Sequence, residues 1–240
     1  MKIKIGFVIA DEMEFIPIRQ ICEELKGAIT KLSGDEMAEF NITESGRTIQ
    51  ISAVRCGIGK VNAAAAAAFL ISHGCQMIIN SGLSGGISGV QRGDYTAGTK
   101  YIEHDFDLTP IGYKEYAKPG QEYIYSSDDY LLDIYTSIDG MIPGVMVCGD
   151  SFICSEEKRT HLKNSLQAVS CDMESAAVAS VCFKAQIPFI SVRRISDDAG
   201  DDAHSSYTQM NDLAERDLVD VVMTGIAKIL KSDIFWTENS

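Results

Sequence analysis

Short apolar runs alternate with amphipathic segments along most of the chain, a pattern that predicts strands and helices in turn. Residues 3–10 predict a first strand, followed by a helix as far as about Glu24. The alternating segments EFNIT and TIQISAV flank a turn at Ser45 and Gly46 and predict an antiparallel pair of strands. GKVNAAAAAAFLISHG predicts a helix that ends at Gly74, and QMIINSG a short buried strand that leads into a glycine-rich loop, SGLSGGISG.

The second half of the chain repeats this alternation. Residues 93–125 predict a strand-rich stretch, GVMVCGD a further strand, and residues 155–166 a helix capped by Ser155. AVSCD and PFISVRRISD predict two more strands with the helical segment ESAAVASVCFKAQ between them, and an amphipathic helix covers roughly residues 208–231. No repeat or linker interrupts this order. We therefore expect residues 1–240 to form a single α/β domain of three layers, with a central mixed β-sheet flanked by helices.

The composition narrows the range of partners. The chain has a formal net charge of −13 and a pI of about 4.7, whereas nucleic acids and anionic membranes select basic surfaces. Its longest apolar run, residues 63–71, is too short to cross a bilayer, and the first residues show no signal-peptide pattern. The seven cysteines show no metal-finger spacing. They indicate a reduced, cytoplasmic protein, and we expect neither nucleic acid nor membrane as a partner.

Acidic side chains follow several of the predicted strands. Glu14 comes after the first strand, Glu174 after AVSCD, and Asp197 ends PFISVRRISD. In an α/β sheet, ligands bind beyond the carboxyl ends of the strands. Any one of these acids alone is explained as a helix cap. Together they predict an acid/base site, because the apolar strands beside them would bury them, and a buried carboxylate needs a partner or a task.

A set of motifs carries a family resemblance. In chain order they are GIGKVNAA, IINSGLSGG, the pair Gly93-Asp94, HDFDLTPIGY, CGDSFI, DMESAAVASVC and PFISVRRISDDAGDDAHSSY. In this order they resemble nucleoside-cleaving enzymes of the purine nucleoside phosphorylase superfamily, and in particular 5′-methylthioadenosine/S-adenosylhomocysteine nucleosidases. The resemblance runs from residue 3 to about residue 230. It implies a nucleoside phosphorylase/hydrolase-like fold and a purine nucleoside as the small-molecule partner. The implied reaction is hydrolysis of the N-glycosidic bond of 5′-substituted adenosines, which releases adenine without a metal or organic cofactor.

The resemblance also implies roles for the acids. Asp197, next to Ser196, helps to protonate the leaving adenine; Glu14 activates the attacking water; Glu174 accepts hydrogen bonds from the ribose hydroxyls. These roles fit the chemistry, since glycosidic cleavage needs one protonated acid for the departing base and one ionised acid near the sugar. Asp172 stands where the family usually has Glu. We expect it to contact the residues that bind the substrate and not the substrate itself.

The remaining site residues come from the same resemblance. Met173 lines the sugar, Phe152 stacks on the base, the backbone of Ile153 reads the purine edge, and Gly85 lies against the substrate. A further group would surround the 5′ substituent. It comprises Asp11 in place of the usual Met, Tyr207 in place of a Phe, and Ile111 and Tyr113, which would reach into the neighbouring subunit's pocket and so imply a homodimer.

Three positions depart from the family's usual residues. Asp11 and Tyr207 make the 5′ pocket more polar, unless Asp11 points into solvent. Leu83 replaces a small polar residue near the water and the ribose.

Two other activities are alternatives to hydrolysis. A phosphorylase needs cationic side chains to hold phosphate, and the place where the relatives carry Arg, just ahead of the glycine-rich loop, reads Asn80-Ser81 here. The Arg and Lys residues of the N-terminal half are explained by surface solvation. A non-catalytic nucleoside-binding protein would lack one of the three acids, and all are present. The sequence therefore favours water as the nucleophile.

Overall fold

The computed structural model describes residues 2–32, 34–201, 203 and 212–233. Its strands, in chain order, are β1 (Lys2–Ile9), β2 (Ala28–Lys31), β3 (Glu36–Glu44), β4 (Arg47–Arg55), β5 (Met77–Gly86), β6 (Tyr95–Glu103), β7 (Ile124–Ser126), β8 (Met141–Cys148), β9 (Ala168–Asp172) and β10 (Phe189–Asp197). Its helices are α1 (Glu12–Glu24), α2 (Lys60–Ser72), α3 (Asp129–Thr136), α4 (Glu156–Leu166), α5 (Ser175–Ala185) and α6 (Asp212–Lys231), with one 3₁₀ turn at Thr109–Ile111.

These strands form one mixed ten-stranded sheet. β1 lies between β4 and β5 and is parallel to both, and β3 and β2 extend the β4 side with antiparallel pairs. β5 pairs with both β10 and β9, and β6 and β8 connect those two, so part of the sheet closes on itself. The predicted mixed sheet is confirmed, and the closed part is an addition that the strand pattern did not predict. A single domain over residues 1–240 stays a prediction.

Helices cover both faces of the sheet. The two large apolar clusters share strand β1, whose Ile5 and Phe7 belong to one cluster and whose Val8 belongs to the other. The first cluster is completed by residues of α1, α3 and α6, and the second by residues of α2 and α5. Burial on both faces explains why the central strands are continuous apolar runs. The predicted three layers are confirmed.

Most predicted elements are present, and the differences have physical causes. The antiparallel pair β3–β4 and the helices α1, α2, α4 and α5 lie where the pattern put them, with Gly74 in a left-handed conformation (φ 88°) just after α2. The predicted loop SGLSGGISG is wrong over residues 81–86, which continue β5. A β-carbon at Gly82 would lie 2.7 Å from Arg193 Nη1, so these glycines serve close strand packing rather than a turn.

Other predictions were incomplete. The strand-rich stretch over residues 93–125 contains β6 and β7 but is irregular between them, and neither β2 nor α3 was predicted. The last helix is observed from Asp212 to Lys231, while residues 208–211 of the prediction lie outside the described residues. In the described part of the chain, no helix is both long and apolar enough to cross a membrane.

Candidate active site

A cavity of about 430 Å³ opens at the carboxyl ends of the strands, as expected for an α/β sheet. Segments that follow β1, β4, β8 and β9 line it, together with the ends of β5, β9 and β10. Most of the predicted site residues are brought together here: Asp11, Glu14, Gly85, Phe152, Ile153, Met173, Glu174, Ser196 and Asp197. Ile111 and Tyr113 are not among its lining residues, and Tyr207 lies outside the described residues.

Asp197 is only 2% exposed and makes two hydrogen bonds through its carboxyl group. The Ser196 hydroxyl lies 2.7 Å from Oδ2, and the Ala199 N–H donates to Oδ1 at 2.8 Å. Ala199 has a left-handed backbone (φ 52°), which turns its N–H back toward the carboxyl. A β-carbon at Gly85 would lie 3.1 Å from Oδ1, so the glycine keeps this space open. Burial raises the pKa of Asp197, although Ser196 and Ala199 act in the opposite direction.

Glu14 lies in the first turn of α1 and is held from two sides. The Leu83 N–H donates to Oε1 at 2.8 Å, and the Asp11 N–H donates to Oε2 at 3.3 Å. Burial raises the pKa of Glu14 to about 7, while the nearby Arg193 guanidinium lowers it. A carboxyl group with this pKa can lose or hold its proton at neutral pH.

Asp11 is a helix cap and a cavity residue at the same time. Its Oδ1 accepts a hydrogen bond from the Met13 N–H at 2.8 Å, and together with Glu14 it forms a capping box at the start of α1. It also lines the cavity and is only partly exposed. Asp11 therefore caps α1 at the border of the cavity, and a role toward the substrate stays a prediction.

Asp172 and Glu174, two residues apart, have different partners. Asp172 caps α5: its Oδ1 accepts hydrogen bonds from the N–H groups of Glu174 (2.8 Å) and Ser175 (2.7 Å). Glu174 is 4% exposed, and its side chain does not cap its own helix. Its Oε1 accepts from the Gly59 N–H at 3.0 Å, and its Oε2 lies 3.4 Å from both terminal nitrogens of Arg193. Burial raises the pKa of Glu174 and Arg193 opposes this.

Arg193, which the sequence analysis missed, lies at the centre of this group. It is 1% exposed in the middle of β10, and its Nη2 lies 3.3 Å from Asp172 Oδ1. Its other bonds go to neutral acceptors: Nε to Ser191 Oγ (3.1 Å), Nη1 to the Leu83 carbonyl (3.2 Å) and Nη2 to Asn80 Oδ1 (2.5 Å). The available signal was an arginine inside an apolar strand, since such a cation must find acidic partners.

The cavity residues Phe152 and Ile153, which follow β8, are apolar, in contrast to the acidic side chains described above. Phe152 is exposed and Ile153 is buried, and both line the cavity. Met173 lies between Asp172 and Glu174 in the chain and also lines the cavity. These apolar side chains suit the faces of a planar ring and a sugar. Among the described residues, no group of His, Cys, Asp or Glu side chains has the arrangement of a metal site.

Comparisons with known proteins identify the family of the chain. Residues 4–230 match the model of the family described as phosphorylase superfamily. A 5′-methylthioadenosine/S-adenosylhomocysteine nucleosidase of Hydrogenovibrio crunogenus is 32% identical over 220 residues, covering 88% of this chain and 92% of that protein.

Two solved structures are similar as well. One, from Francisella philomiragia and described as a nucleosidase of the same kind, has a TM-score of 0.85 at 28% identity and covers 93% of this chain and 98% of its own. The S-adenosylhomocysteine nucleosidase of Streptococcus pyogenes, solved with 5-methylthiotubericidin, has a TM-score of 0.82 at 27% identity and covers 94% and 96%. The chain therefore belongs to the phosphorylase superfamily, in its branch of 5′-methylthioadenosine/S-adenosylhomocysteine nucleosidases.

Proposed function

We propose that this chain hydrolyses the N-glycosidic bond of 5′-substituted adenosines, such as methylthioadenosine or S-adenosylhomocysteine, and releases adenine. The observation that carries the proposal is the placement of three carboxyl groups around one cavity, with Glu174 and Asp197 buried and Glu14 partly buried. Asp197 has its own hydrogen-bond partners, whereas Glu14 and Glu174 lie around Arg193. Glycosidic cleavage needs acids in two different surroundings, because the base leaves with a developing negative charge while the sugar becomes cationic.

Asp197 is the acid in this proposal. The raised pKa of Asp197 favours its protonated form. The hydrogen bond with Ser196 can form with either the carboxylate or the carboxylic acid. When the carboxylate is ionised, the Ser196 hydroxyl donates to Oδ2. When Oδ2 carries a proton, it can donate to Ser196 Oγ, whose own hydrogen then turns to the Ser84 carbonyl at 3.2 Å. The site therefore accommodates a proton on Asp197 without moving heavy atoms.

Glu14 is the base that activates water. Its Oε1 is fixed by the short bond from Leu83, while the bond to Oε2 is longer at 3.3 Å. The carboxylate can therefore accept a further hydrogen bond from a water molecule in the cavity. A pKa of about 7 suits a group that takes up a proton at neutral pH.

Glu174 binds the ribose hydroxyls, beside Met173. The Gly59 N–H and Arg193 fix its two oxygens in place, which leaves acceptor capacity directed at the cavity. A carboxylate held in this way discriminates between substrates with and without a hydroxyl, because an unpaired buried acceptor is costly.

Water rather than phosphate is the nucleophile. None of the cavity-lining residues in the described part of the chain is Lys or Arg. Arg193 lies just behind the lining, but its N–H groups already have protein acceptors, and acidic side chains surround it. A phosphate dianion would meet carboxylates without a free cation to hold it.

The test is to incubate the pure protein with methylthioadenosine, S-adenosylhomocysteine, adenosine and inosine, with and without phosphate. Adenine and the free ribose derivative should form in phosphate-free buffer. A ribose 1-phosphate as the main product would instead establish a phosphorylase. Adenine binding without any turnover would establish a non-catalytic nucleoside-binding protein.

The 5′ end of the substrate lies near Asp11 and Tyr207 in this proposal. Asp11 lines the cavity beside Glu14, and its role as a cap leaves lone pairs for a ligand. An ionised Asp11 would bind the ammonium group of S-adenosylhomocysteine better than the methylthio group of methylthioadenosine.

The protein is a homodimer in this proposal, with Ile111 and Tyr113 completing the partner's pocket. Both side chains project from the irregular segment after β6, at 69% and 45% exposure, outside the cavity of their own chain. Large exposed apolar side chains are typical of an interface. Sedimentation should give a dimer, and Ile111→Asp should yield monomers with a higher KM; a monomeric wild-type protein would contradict it.

The proposed location is the cytoplasm. All seven cysteines are free thiols, and all except Cys154 are buried. Buried thiols without disulfides suit a reducing compartment.

A further inference from the structure

Helix α2 begins without a side-chain cap of its own. The residue before it is Gly59 (φ 103°), which has no side chain to offer, and the helix starts at Lys60. The free N–H of Lys60 donates instead to Asp150 Oδ1 at 2.8 Å. Asp150 follows β8, so a carboxylate from a distant part of the chain occupies the positive end of this helix.

Asp105 closes this contact into a ring. Its Oδ2 accepts a hydrogen bond from the Asp150 N–H at 2.9 Å, and its Oδ1 pairs with the Lys60 ammonium at 2.6 Å. Lys60, Asp150 and Asp105 are therefore joined to one another in a closed circuit. Burial acts to raise the pKa of Asp105, but its bonds to Lys60 and Asp150 hold that pKa below its usual value. The Lys60 ammonium makes one further ion pair, with Glu103 Oε2 at 2.9 Å.

This ring lies between two walls of the cavity. On one side, Gly59 immediately precedes Lys60, and its N–H holds Glu174 Oε1. On the other, Ser151 and Phe152 immediately follow Asp150, and both line the cavity. A β-carbon at Gly59 would lie 3.1 Å from Asp150 Oδ1, which shows how closely the two segments approach.

We propose that the ring of Lys60, Asp105 and Asp150 is a positioning device that fixes segment 149–152, with Phe152, against the start of α2. It thereby couples the position of Phe152, which contacts the base, to the position of Glu174, which binds the ribose. The naming of these two subsites rests on the proposed function, whereas the fixing of the segment does not. None of the three residues is a catalytic residue in this proposal.

An isolated surface ion pair would not support such a role, because exposed pairs contribute little. Here each carboxylate also accepts a backbone N–H, and the Lys60 and Asp105 side chains are partly buried. Charge-assisted bonds to backbone groups fix the chain itself and not only two flexible side chains.

The first experiment measures amide hydrogen exchange in the full chain without ligand. Lys60→Met should speed exchange in residues 149–153 by about tenfold, the scale of one lost hydrogen bond. Lys118→Met is the matched control. It removes the other ammonium group on Glu103 and leaves the ring intact. Equal exchange in wild type and Lys60→Met, or an equal effect of Lys118→Met, would overturn the proposal.

A milder variant guards against general unfolding. Asp105→Asn keeps the side-chain volume but places an amide against one of its two donors, so it should speed exchange in the same segment. If the Lys60→Met protein does not fold, this variant decides by the same criterion.

The second experiment measures adenine affinity by calorimetry and steady-state kinetics. Lys60→Met should weaken adenine binding and raise KM by about tenfold, with kcat changed much less. In a double-mutant cycle with Phe152→Ala the effects on binding should be non-additive, because the ring acts through Phe152. Additive effects would overturn the coupling. Failure of the wild-type protein to bind adenine would instead refute the proposed function and leave the exchange result to decide on the ring.

Discussion

Buried carboxyl groups lie on both sides of the cavity, but their neighbours differ. Asp197 is bonded by a hydroxyl and a backbone N–H, and none of the described cationic side chains donates to it. Glu14 and Glu174 lie around the buried guanidinium of Arg193. Burial raises the pKa on both sides, but a cation opposes this strongly only at Glu14 and Glu174. The two groups of acids therefore differ in the cation beside them, and in the proposed function Asp197 serves the purine while Glu14 and Glu174 serve the water and the ribose.

The largest expected effect is the loss of turnover when Asp197 is replaced. Asp197→Asn keeps the shape of the side chain but cannot deliver a proton, so turnover of adenine nucleosides should fall by roughly 10²–10⁴-fold. Adenine affinity, measured by calorimetry, should change far less. The control is Asp198→Asn, because Asp198 is the exposed neighbour and should tolerate the change. Near-normal turnover of the Asp197 variant would show that the proton comes from another group.

The next prediction tests Arg193, the buried cation beside Glu14 and Glu174. Arg193→Met leaves Asp172 and Glu174 without their buried partner, and we expect a loss of about 3–5 kcal/mol in the free energy of unfolding. Arg194→Met is a matched control in the next position of β10. Arg194 pairs with the exposed Asp217, so its replacement should cost about 1 kcal/mol or less. Equal losses in urea denaturation would show that the buried ion cluster is not special.

The third effect concerns Glu14, whose pKa burial raises from 4.5 to about 7. Between these pH values the unfolded chain releases the proton and the folded chain keeps it. The folded state therefore loses stability as pH rises from about 4.5 to about 7, by about 3 kcal/mol at 1.4 kcal/mol per pKa unit. Glu14→Gln removes this dependence.

The check is the difference in unfolding free energy between wild type and Glu14→Gln, measured at several pH values. As pH rises through this range, the variant should become more stable relative to the wild type. Above about pH 8 the difference should be constant. The wild-type rate should rise as pH passes about 7, because the base must be ionised. A difference that does not depend on pH would refute the raised pKa.

The acids were predictable because they follow from topology. β1 and β10 both run parallel to β5, so Glu14 and Asp197, which lie at or beyond their carboxyl ends, were expected to meet once the strands were recognised. Glu174 follows β9, which pairs antiparallel with β5, and it reaches the same cavity. Local patterns also predicted the caps, since Ser155 accepts from the Lys158 N–H as expected.

Arg193 and the continuation of β5 over residues 81–86 were not predictable from local sequence. Arg193 and Arg194 are neighbours in one strand, and only the pairing with β5 and β6 decides which of them faces the acids. Residues 81–86 have the composition of a loop, yet pairing with β10 and β9 makes them a strand. In both cases the deciding contacts come from segments far away in the chain, which overrides local preference.

The smallest effect tests the 5′ end, on the side of Glu14. Asp11→Asn removes the charge but retains an acceptor for the Met13 N–H, so α1 should remain capped. If an ionised Asp11 binds the ammonium of S-adenosylhomocysteine, the ratio of kcat/KM for this substrate over methylthioadenosine should fall by about fivefold to tenfold, or roughly 1 kcal/mol for a partly exposed pair. Asp11→Met should lower the ratio further by offering an apolar wall to the methylthio group, at the cost of the cap. The ratio is independent of how much of each variant is folded, so lost stability cannot imitate the effect. An unchanged ratio in both variants would show that Asp11 serves only to cap α1, and that the polarity of this end of the cavity does not select the substrate.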